Sequence, residues 1–236
     1  MLFRSNRSAS GRVGSADVLE ALEIDLGAPP ERVLAALQAT GVTFLFAPGW
    51  HPALVGLAPL RRALGVRTVF NQLGPLVNPL RPEAQVLGVA RPDHLLPMAE
   101  ALRQLGQHRA VVVHGHGGLD EATLSGPNAL LLLEGGTLRE QTLDAASVGL
   151  TAAPLEALLG GDLATNTAIL IAVLQGAGSP AQRDVVALNT GLVLWAAGLA
   201  ATVPEGVEQA LVALASGAPW HRLDQLRSAL APTVAG

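Results

Sequence analysis

The stretch that decides the fold is Arg109-Ala110-Val111-Val112-Val113-His114, followed at once by Gly115-His116-Gly117-Gly118-Leu119-Asp120-Glu121. The first six residues contain a compact apolar run with three consecutive valines, which is typical of a strand buried inside a sheet. A glycine-rich turn and two adjacent carboxylates follow the strand directly. In open α/β sheets, ligands bind beyond the carboxyl ends of the strands. The stretch therefore predicts an α/β fold with Asp120 and Glu121 at the ligand-binding edge of its sheet.

Apolar runs elsewhere predict the rest of the sheet and the helices around it. Strands are predicted at 42–46, 85–89, 109–114 and 137–143. Thr123–Ser125 and Ala129–Leu133 resemble the two arms of a hairpin. From Pro154 onward the spacing is helical, with segments at 164–174, 180–201, 207–215 and 220–230. We predict a mixed central sheet flanked by helices and a helical C-terminal third. We find no linker long enough to divide residues 1–236 into two domains.

Local signals make three further structural predictions. Ser15 is a suitable N-cap for a helix over residues 15–22. The segment 47–52 is predicted as a loop that leads into a helix over 53–64. The segment 70–79 holds two X-Pro steps and a glycine. Because proline removes a backbone donor and restricts the residue before it, we expect no regular structure there.

The composition excludes several functional classes. Half of the 236 residues are hydrophobic and 14% are charged, which indicates a globular core. The net charge is −4, so the basic surface that nucleic-acid binding requires is not expected. Cysteine and lysine are absent, which excludes disulfides, thiolate metal sites and Schiff bases. The longest near-apolar run, Gly191–Val203, is too short to span a bilayer. We predict a cytoplasmic protein that binds neither nucleic acid nor membrane.

Two groups of side chains near the central stretch are candidates for binding a metal. Asp120 and Glu121 suit Mg²⁺, a hard cation that prefers oxygen ligands and phosphates. The alternative is an ordinary acidic loop that caps the sheet. His114 and His116 alternate at the strand end, but no third ligand lies close in sequence, which favours structural or bystander roles for both histidines.

Two other segments are candidates for binding anions. The segment Asn6–Ser15 combines small residues, hydroxyls and glycines, and it leads directly into a helix. Exposed N–H groups and the positive end of a helix form an anion site. The alternative is a frayed polar terminus. His51 precedes a predicted helix that carries Arg61, a residue type suited to carboxylates. The alternative there is a helix cap and a surface charge.

Taken in order, these motifs resemble one family. They are Asn6-Arg7-Ser8 with Gly14-Ser15-Ala16-Asp17-Val18-Leu19-Glu20-Ala21-Leu22; Phe46-Ala47-Pro48 with His51-Pro52-Ala53; Arg61 with Leu64-Gly65-Val66-Arg67-Thr68; Phe70-Asn71 with Leu73-Gly74-Pro75-Leu76 and Asn78-Pro79; Gly118-Leu119-Asp120-Glu121; and Arg183-Asp184 and Leu188-Asn189 with Gly191. The chain resembles the anthranilate phosphoribosyltransferases over their last two-thirds. The resemblance implies the large α/β domain that nucleoside phosphorylases and phosphoribosyltransferases share.

The resemblance also implies an activity and a set of binding residues. The amine of anthranilate would attack C1 of phosphoribosyl pyrophosphate and pyrophosphate would leave, with no protein base required. Asp120 and Glu121 would hold Mg²⁺ as the cofactor, and Asn6, His51 and Arg61 would contact anthranilate. The residues along phosphoribosyl pyrophosphate would be Asn6, Arg7, Ser8, Ala9, Ser10, Gly11 and Ser15. The family usually forms homodimers through helices that have no counterpart in this sequence.

The sequence departs from the family pattern in three places. Phe3-Arg4-Ser5 replaces the family's Lys-His-Gly, and Gly11 stands where a second serine is usual. The Gly-Thr-Gly-Gly-Asp loop and the N-terminal helical domain are absent. Since that loop supplies pyrophosphate donors, we expect a chain shortened at its N-terminus, with poor activity or none. A late start, a frameshift or a decayed gene would each produce such a sequence. The alternatives are a non-catalytic remnant or binding protein and, ranked lower, a pyrimidine nucleoside phosphorylase.

Overall fold

The computed structural model describes residues 2–5, 13–50 and 69–232. The strands are β1 (Leu2–Ser5), β2 (Thr43–Phe46), β3 (Ala84–Gly88), β4 (Arg109–His114), β5 (Asn128–Glu134) and β6 (Thr137–Leu143). The helices are α1 (Ser15–Ala21), α2 (Pro30–Thr40), α3 (Ala47–Trp50), α4 (Val69–Leu76), α5 (Leu95–Gln104), α6 (Leu163–Leu174), α7 (Pro180–Ala196), α8 (Val203–Ala215) and α9 (Ala218–Ala229). Short 3-10 helices lie at Pro92–His94, Ala146–Val148 and Leu155–Leu158.

The chain divides into two compact units, each made of separate segments. The first comprises residues 1–79, 160–175 and 217–236, and the second comprises 80–159 and 176–216. Strands β1 and β2 of the first unit pair in parallel, with Leu2 opposite Thr43. Helix α1 packs against α6, and α9 contacts both α2 and α6. Arg32 on α2 fastens this helix group, since its guanidinium donates to the carbonyl of Ala229 at 3.2 Å and pairs with Asp25 at 3.5 Å.

The second unit is built on a mixed four-stranded sheet in the order β3-β4-β5-β6. Strands β3 and β4 are parallel and are connected through α5, whereas β4, β5 and β6 are antiparallel neighbours. Leu130, Leu131, Leu132 and Leu133 of β5 are all buried, although consecutive side chains point to opposite faces. The sheet is therefore covered on both faces, with α5 against β4 and β5 and α7 against β3 and β4.

Helices α7 and α8 of the second unit cross at very short range. A β-carbon at Gly191 on α7 would lie 2.6 Å from Cγ2 of Val207 and 2.9 Å from its backbone nitrogen. Only glycine permits this approach, which brings the backbones of α7 and α8 into direct contact. In the described residues, no helix is both long enough and apolar enough to cross a membrane.

The α/β prediction is confirmed, together with the four strands expected at 42–46, 85–89, 109–114 and 137–143. The hairpin prediction is wrong in its first arm. Thr123–Ser125 forms no strand, and β5 pairs with β4 and β6 instead. The amide of Asn128 bonds to both backbone groups of Thr123, so that they are not free for a ladder.

Four boundary predictions also need correction. Gly14, and not Ser15, is the N-cap of α1. Residues 47–50 form a helical turn where a loop was expected. Helix α4 covers most of the stretch expected to be irregular. It includes Pro75 in its last turn, where the preceding Gly74 has no β-carbon to clash with the proline ring. Helix α7 ends at Ala196, short of the predicted residue 201. The helix predicted over 53–64 lies outside the described residues.

Candidate active site

The glycine-rich turn after β4 brings the acid pair, Asp120 and Glu121, back to the end of the sheet. The Gly115 N–H donates to the carbonyl of Leu119 at 2.8 Å, and the Gly118 N–H donates to the carbonyl of Gly115 at 3.1 Å. Gly117 and Gly118 adopt φ of 79° and 84°, which favours glycine at both positions. The chain thus reverses within four residues and returns the acid pair toward the strand ends.

Two glycines let the acid-pair backbone pack directly against the strand ends. A β-carbon at Gly88, the last residue of β3, would lie 1.6 Å from the carbonyl oxygen of Asp120. A β-carbon at Gly115, just after β4, would lie 2.0 Å from the carbonyl oxygen of Glu121. Any other residue at either position would force the strand end and the acid-pair backbone apart. The backbone of the acid pair is therefore fixed at the carboxyl ends of two parallel strands.

The segment that follows the acid pair is held by the side chain of Asn128, which is fully buried. Its Oδ1 accepts from the Thr123 N–H at 2.8 Å and from the His116 N–H at 3.4 Å. Its Nδ2 donates to the carbonyls of Thr123 at 3.0 Å and Leu143 at 2.9 Å. One amide therefore ties together both ends of the loop that carries the carboxylates. Asn128 lies between the two segments that the sequence predicted as hairpin arms, and nothing in the sequence indicated this role.

The electrostatics of the acid pair suit a divalent cation. Both residues are exposed, and within the described part of the chain neither carboxylate forms an ion pair. The pKa of Glu121 is raised, first because surrounding protein atoms displace water from its carboxylate and second because of the charge of Asp120. A bound cation would reduce the repulsion between these two adjacent negative charges.

The number of ligands at this position also fits Mg²⁺. The described residues contain no group of three or more histidine, cysteine, aspartate or glutamate side chains that could enclose a metal. Mg²⁺ is commonly held by only one or two carboxylates, with water and substrate phosphates completing its shell. Asp120 and Glu121 therefore match a magnesium site that is completed by a phosphorylated substrate, and they do not match a closed structural metal site.

Each of the two nearby histidines makes a contact outside the acid pair. His114 Nδ1 lies 2.8 Å from the carbonyl of Val89, so this nitrogen carries the proton and donates. The ring of His116 packs over Gly126, where a β-carbon would come within 2.6 Å of its Cγ.

Most of the residues that the resemblance assigns to substrates lie outside the described part of the chain. They are Asn6, Arg7, Ser8, Ala9, Ser10, Gly11, His51 and Arg61. Ser15 is described: it is exposed at the first position of α1, in the first unit. The N–H of Gly14 before it donates to Asp17 Oδ2 at 2.8 Å, so the helix already satisfies one of its own end groups. The roles of these residues stay predictions.

Comparisons with known proteins agree with this geometry. The family model described as glycosyl transferase family, a/b domain, matches residues 1–219. The anthranilate phosphoribosyltransferase of Synechococcus sp. strain CC9311 is 69% identical over 225 residues, which is 95% of this chain. The enzyme of Prochlorococcus marinus strain MIT 9313 is 68% identical over a segment of the same length. The chain belongs to the anthranilate phosphoribosyltransferase family. It spans 65% and 64% of the lengths of these two relatives.

Solved structures of family members share the fold. The anthranilate phosphoribosyltransferase of Thermus thermophilus is 47% identical, with a TM-score of 0.91 over 97% of this chain and 68% of that one. The enzyme of Saccharomyces cerevisiae in complex with PRPP and Mg has a TM-score of 0.87 over 97% of this chain and 64% of that one. At 23% identity, the yeast enzyme supports the fold alone. The predicted large α/β domain is thereby confirmed.

Proposed function

We propose that this chain transfers the phosphoribosyl group of phosphoribosyl pyrophosphate to anthranilate, giving phosphoribosylanthranilate and pyrophosphate. The observation that carries the proposal is the acid pair, whose backbone is fixed between Gly88 and Gly115 while its carboxylates are left without a cationic partner among the described residues. Membership of the family supports the choice of reaction and of substrates.

The reaction requires binding and orientation more than proton transfer. A bond forms between the amine nitrogen of anthranilate and C1 of the sugar, while the bond from C1 to the pyrophosphate oxygen breaks. Pyrophosphate leaves with that electron pair, and the nitrogen loses a proton to solvent. Mg²⁺ held by Asp120 and Glu121 would neutralise the charge that develops on the departing group. An aromatic amine is already a nucleophile, so the chain's contribution is to align the two substrates.

The assignment of substrate-binding residues is part of the same proposal. Arg61 would pair with the carboxylate of anthranilate, because its planar guanidinium matches a carboxylate in two parallel hydrogen bonds. Asn6 and His51 would line the same pocket. The residues proposed to bind phosphoribosyl pyrophosphate are Asn6, Arg7, Ser8, Ala9, Ser10, Gly11 and Ser15. A single-domain organisation and a cytoplasmic location complete the proposal. No homodimer is proposed, because the helices through which the family usually dimerises have no counterpart in this sequence.

The test follows anthranilate fluorescence after phosphoribosyl pyrophosphate and Mg²⁺ are added to the purified chain. The critical variant carries Asp120→Ala and Glu121→Ala together. Glu208→Ala is a matched control, since Glu208 is an exposed carboxylate on α8 in the same unit. Turnover that the double variant loses and the control keeps would support the proposal. Turnover that survives in the double variant would refute the role of the acid pair.

A folded wild-type chain without turnover would refute transferase activity for this chain alone. Titration calorimetry with phosphoribosyl pyrophosphate and Mg²⁺ would then distinguish a binding protein from an inert remnant. A parallel reaction with a pyrimidine nucleoside and phosphate tests the phosphorylase alternative.

A further inference from the structure

Asn189, on helix α7, makes a two-bond contact with the segment that carries the acid pair. Its Oδ1 accepts from the N–H of Ala122 at 3.0 Å, and its Nδ2 donates to the carbonyl of Ala122 at 2.8 Å. Ala122 directly follows Glu121 and is fully buried. The contact joins residues 67 positions apart in the sequence. The amide therefore holds the peptide groups on both sides of Ala122, one of which is the peptide that begins at Glu121.

Asparagine at position 189 lowers the intrinsic stability of helix α7. It is a poor helix former compared with alanine or leucine, because its side chain competes with the backbone for hydrogen bonds. The neighbouring Leu188 and Leu192 are fully buried, so this stretch of the helix faces the interior. Only one of the amide's bonds is local, to the carbonyl of Val185 at 3.0 Å. The remaining bonds are made to Ala122, which indicates that the side chain holds the segment that carries the acid pair.

Three contacts constrain the backbone of the acid pair. Gly88 and Gly115 define how closely the carbonyls of Asp120 and Glu121 approach the strand ends. Asn189 then fixes the first residue after the pair. These constraints leave the Glu121 backbone little freedom, although Glu121 as a whole residue is exposed. A carboxylate held in advance where the cation binds loses less freedom when binding occurs.

We propose that Asn189 is a positioning residue for the divalent cation that Asp120 and Glu121 hold, acting through the backbone of Ala122. The proposal rests on the cation-binding part of the proposed function and adds a residue from α7 to it. Residues that orient metal ligands change metal affinity by about 10-fold to 100-fold when they are replaced. Asn189 touches neither carboxylate, so its effect is on their placement alone.

The experiment measures Mn²⁺ affinity of the purified chain by electron paramagnetic resonance, without substrate. Mn²⁺ takes the same oxygen ligands as Mg²⁺ and its free form is counted directly. The variants are Asn189→Ala and Asn189→Leu. Leucine fills the space without hydrogen bonds, in case the cavity left by the smaller alanine destabilises the fold. The matched control is Asn166→Ala. Asn166 on α6 makes the same kind of two-bond contact, with the backbone of Gly161.

We expect Mn²⁺ affinity about 10-fold to 100-fold weaker in both Asn189 variants, and unchanged in Asn166→Ala. A purely structural role would lower the unfolding temperature and leave the Mn²⁺ affinity of the folded chain unchanged, and that result would overturn the proposal. Wild-type affinity no better than that of the Asp120→Ala and Glu121→Ala double variant would overturn it too, since there would be no cation site to organise.

The turnover assay separates this proposal from the proposed function. Weaker Mn²⁺ binding in the Asn189 variants of a chain without turnover would support the positioning role and refute the transferase activity. Turnover in the wild type with equal Mn²⁺ affinity in the variants would refute the positioning role and support the transferase activity.

Discussion

Replacing Gly88 with alanine should displace the acid pair. A β-carbon at this position would lie 1.6 Å from the carbonyl oxygen of Asp120 and 2.5 Å from its carbonyl carbon. Real β-carbons essentially never approach another heavy atom within 3.0 Å, so the two segments must separate by at least 1.4 Å. The obstructing atoms are backbone, which means that no side-chain rotation can relieve the overlap.

The size of this displacement sets the expected losses. Overpacking a close contact costs about 1–3 kcal/mol of unfolding free energy. In a chain of this length, that lowers the unfolding temperature by roughly 2–12 °C. A misplacement of about 1 Å in a catalytic arrangement costs about 100-fold in rate. We therefore expect Gly88→Ala to remain folded, to bind Mn²⁺ more weakly and to lose most of any turnover.

Thermal unfolding by circular dichroism and Mn²⁺ titration measure the two effects separately. Gly49→Ala is the control for both, since a β-carbon there meets no heavy atom of the described residues within 4 Å. The reasoning fails if Gly88→Ala keeps the unfolding temperature and the Mn²⁺ affinity of the wild type. Loss of stability with intact Mn²⁺ affinity would also refute it, because the strand end would then not control the carboxylates.

Three further outcomes are expected. The raised pKa of Glu121 means that its ionised form costs stability once the pH exceeds the pKa of an unfolded glutamate. Glu121→Gln should therefore raise the unfolding temperature at neutral pH but not in acid, and an equal effect at both would contradict this. Asn128→Ala leaves buried backbone groups unpaired and should cost about 3 kcal/mol or more in urea unfolding, against about 1 kcal/mol for Asn166→Ala. Gly191→Ala should cost about 1–3 kcal/mol in the same assay. Removing the side chain in Val207→Ala should not restore that loss, because the backbone nitrogen of Val207 also lies within 2.9 Å of the new β-carbon.

Two predictions from local sequence were wrong, because contacts in the folded chain determined the structure there. Thr123–Ser125 has the composition of a strand, but the buried amide of Asn128 takes the backbone groups of Thr123, and the N–H of Ala153 donates to the carbonyl of Leu124 at 3.2 Å. The proline rule predicted irregular structure across α4, yet Pro75 lies in the last turn of a short helix, directly after Gly74, which has no β-carbon to clash with the proline ring.

Other properties are encoded in short stretches and were predicted from them. The consecutive valines of β4 and the leucines of β5 can be buried on both sides only in a covered sheet, and the turn at Gly115–Gly118 is specified by glycines at positive φ. The acid pair was visible as Asp120-Glu121 after a strand and a glycine-rich turn. These features can be predicted from sequence because hydrophobic spacing and turn chemistry depend on adjacent residues.

How the acid pair is held became visible only in the folded chain. The contact of Asn189 with Ala122 and the approach of Gly88 to Asp120 join segments far apart in sequence. The raised pKa of Glu121 likewise depends on the protein atoms that surround it and on the charge of its neighbour. Residue order alone specifies none of these contacts, because each depends on how helix α7 and strands β3 and β4 pack together in three dimensions.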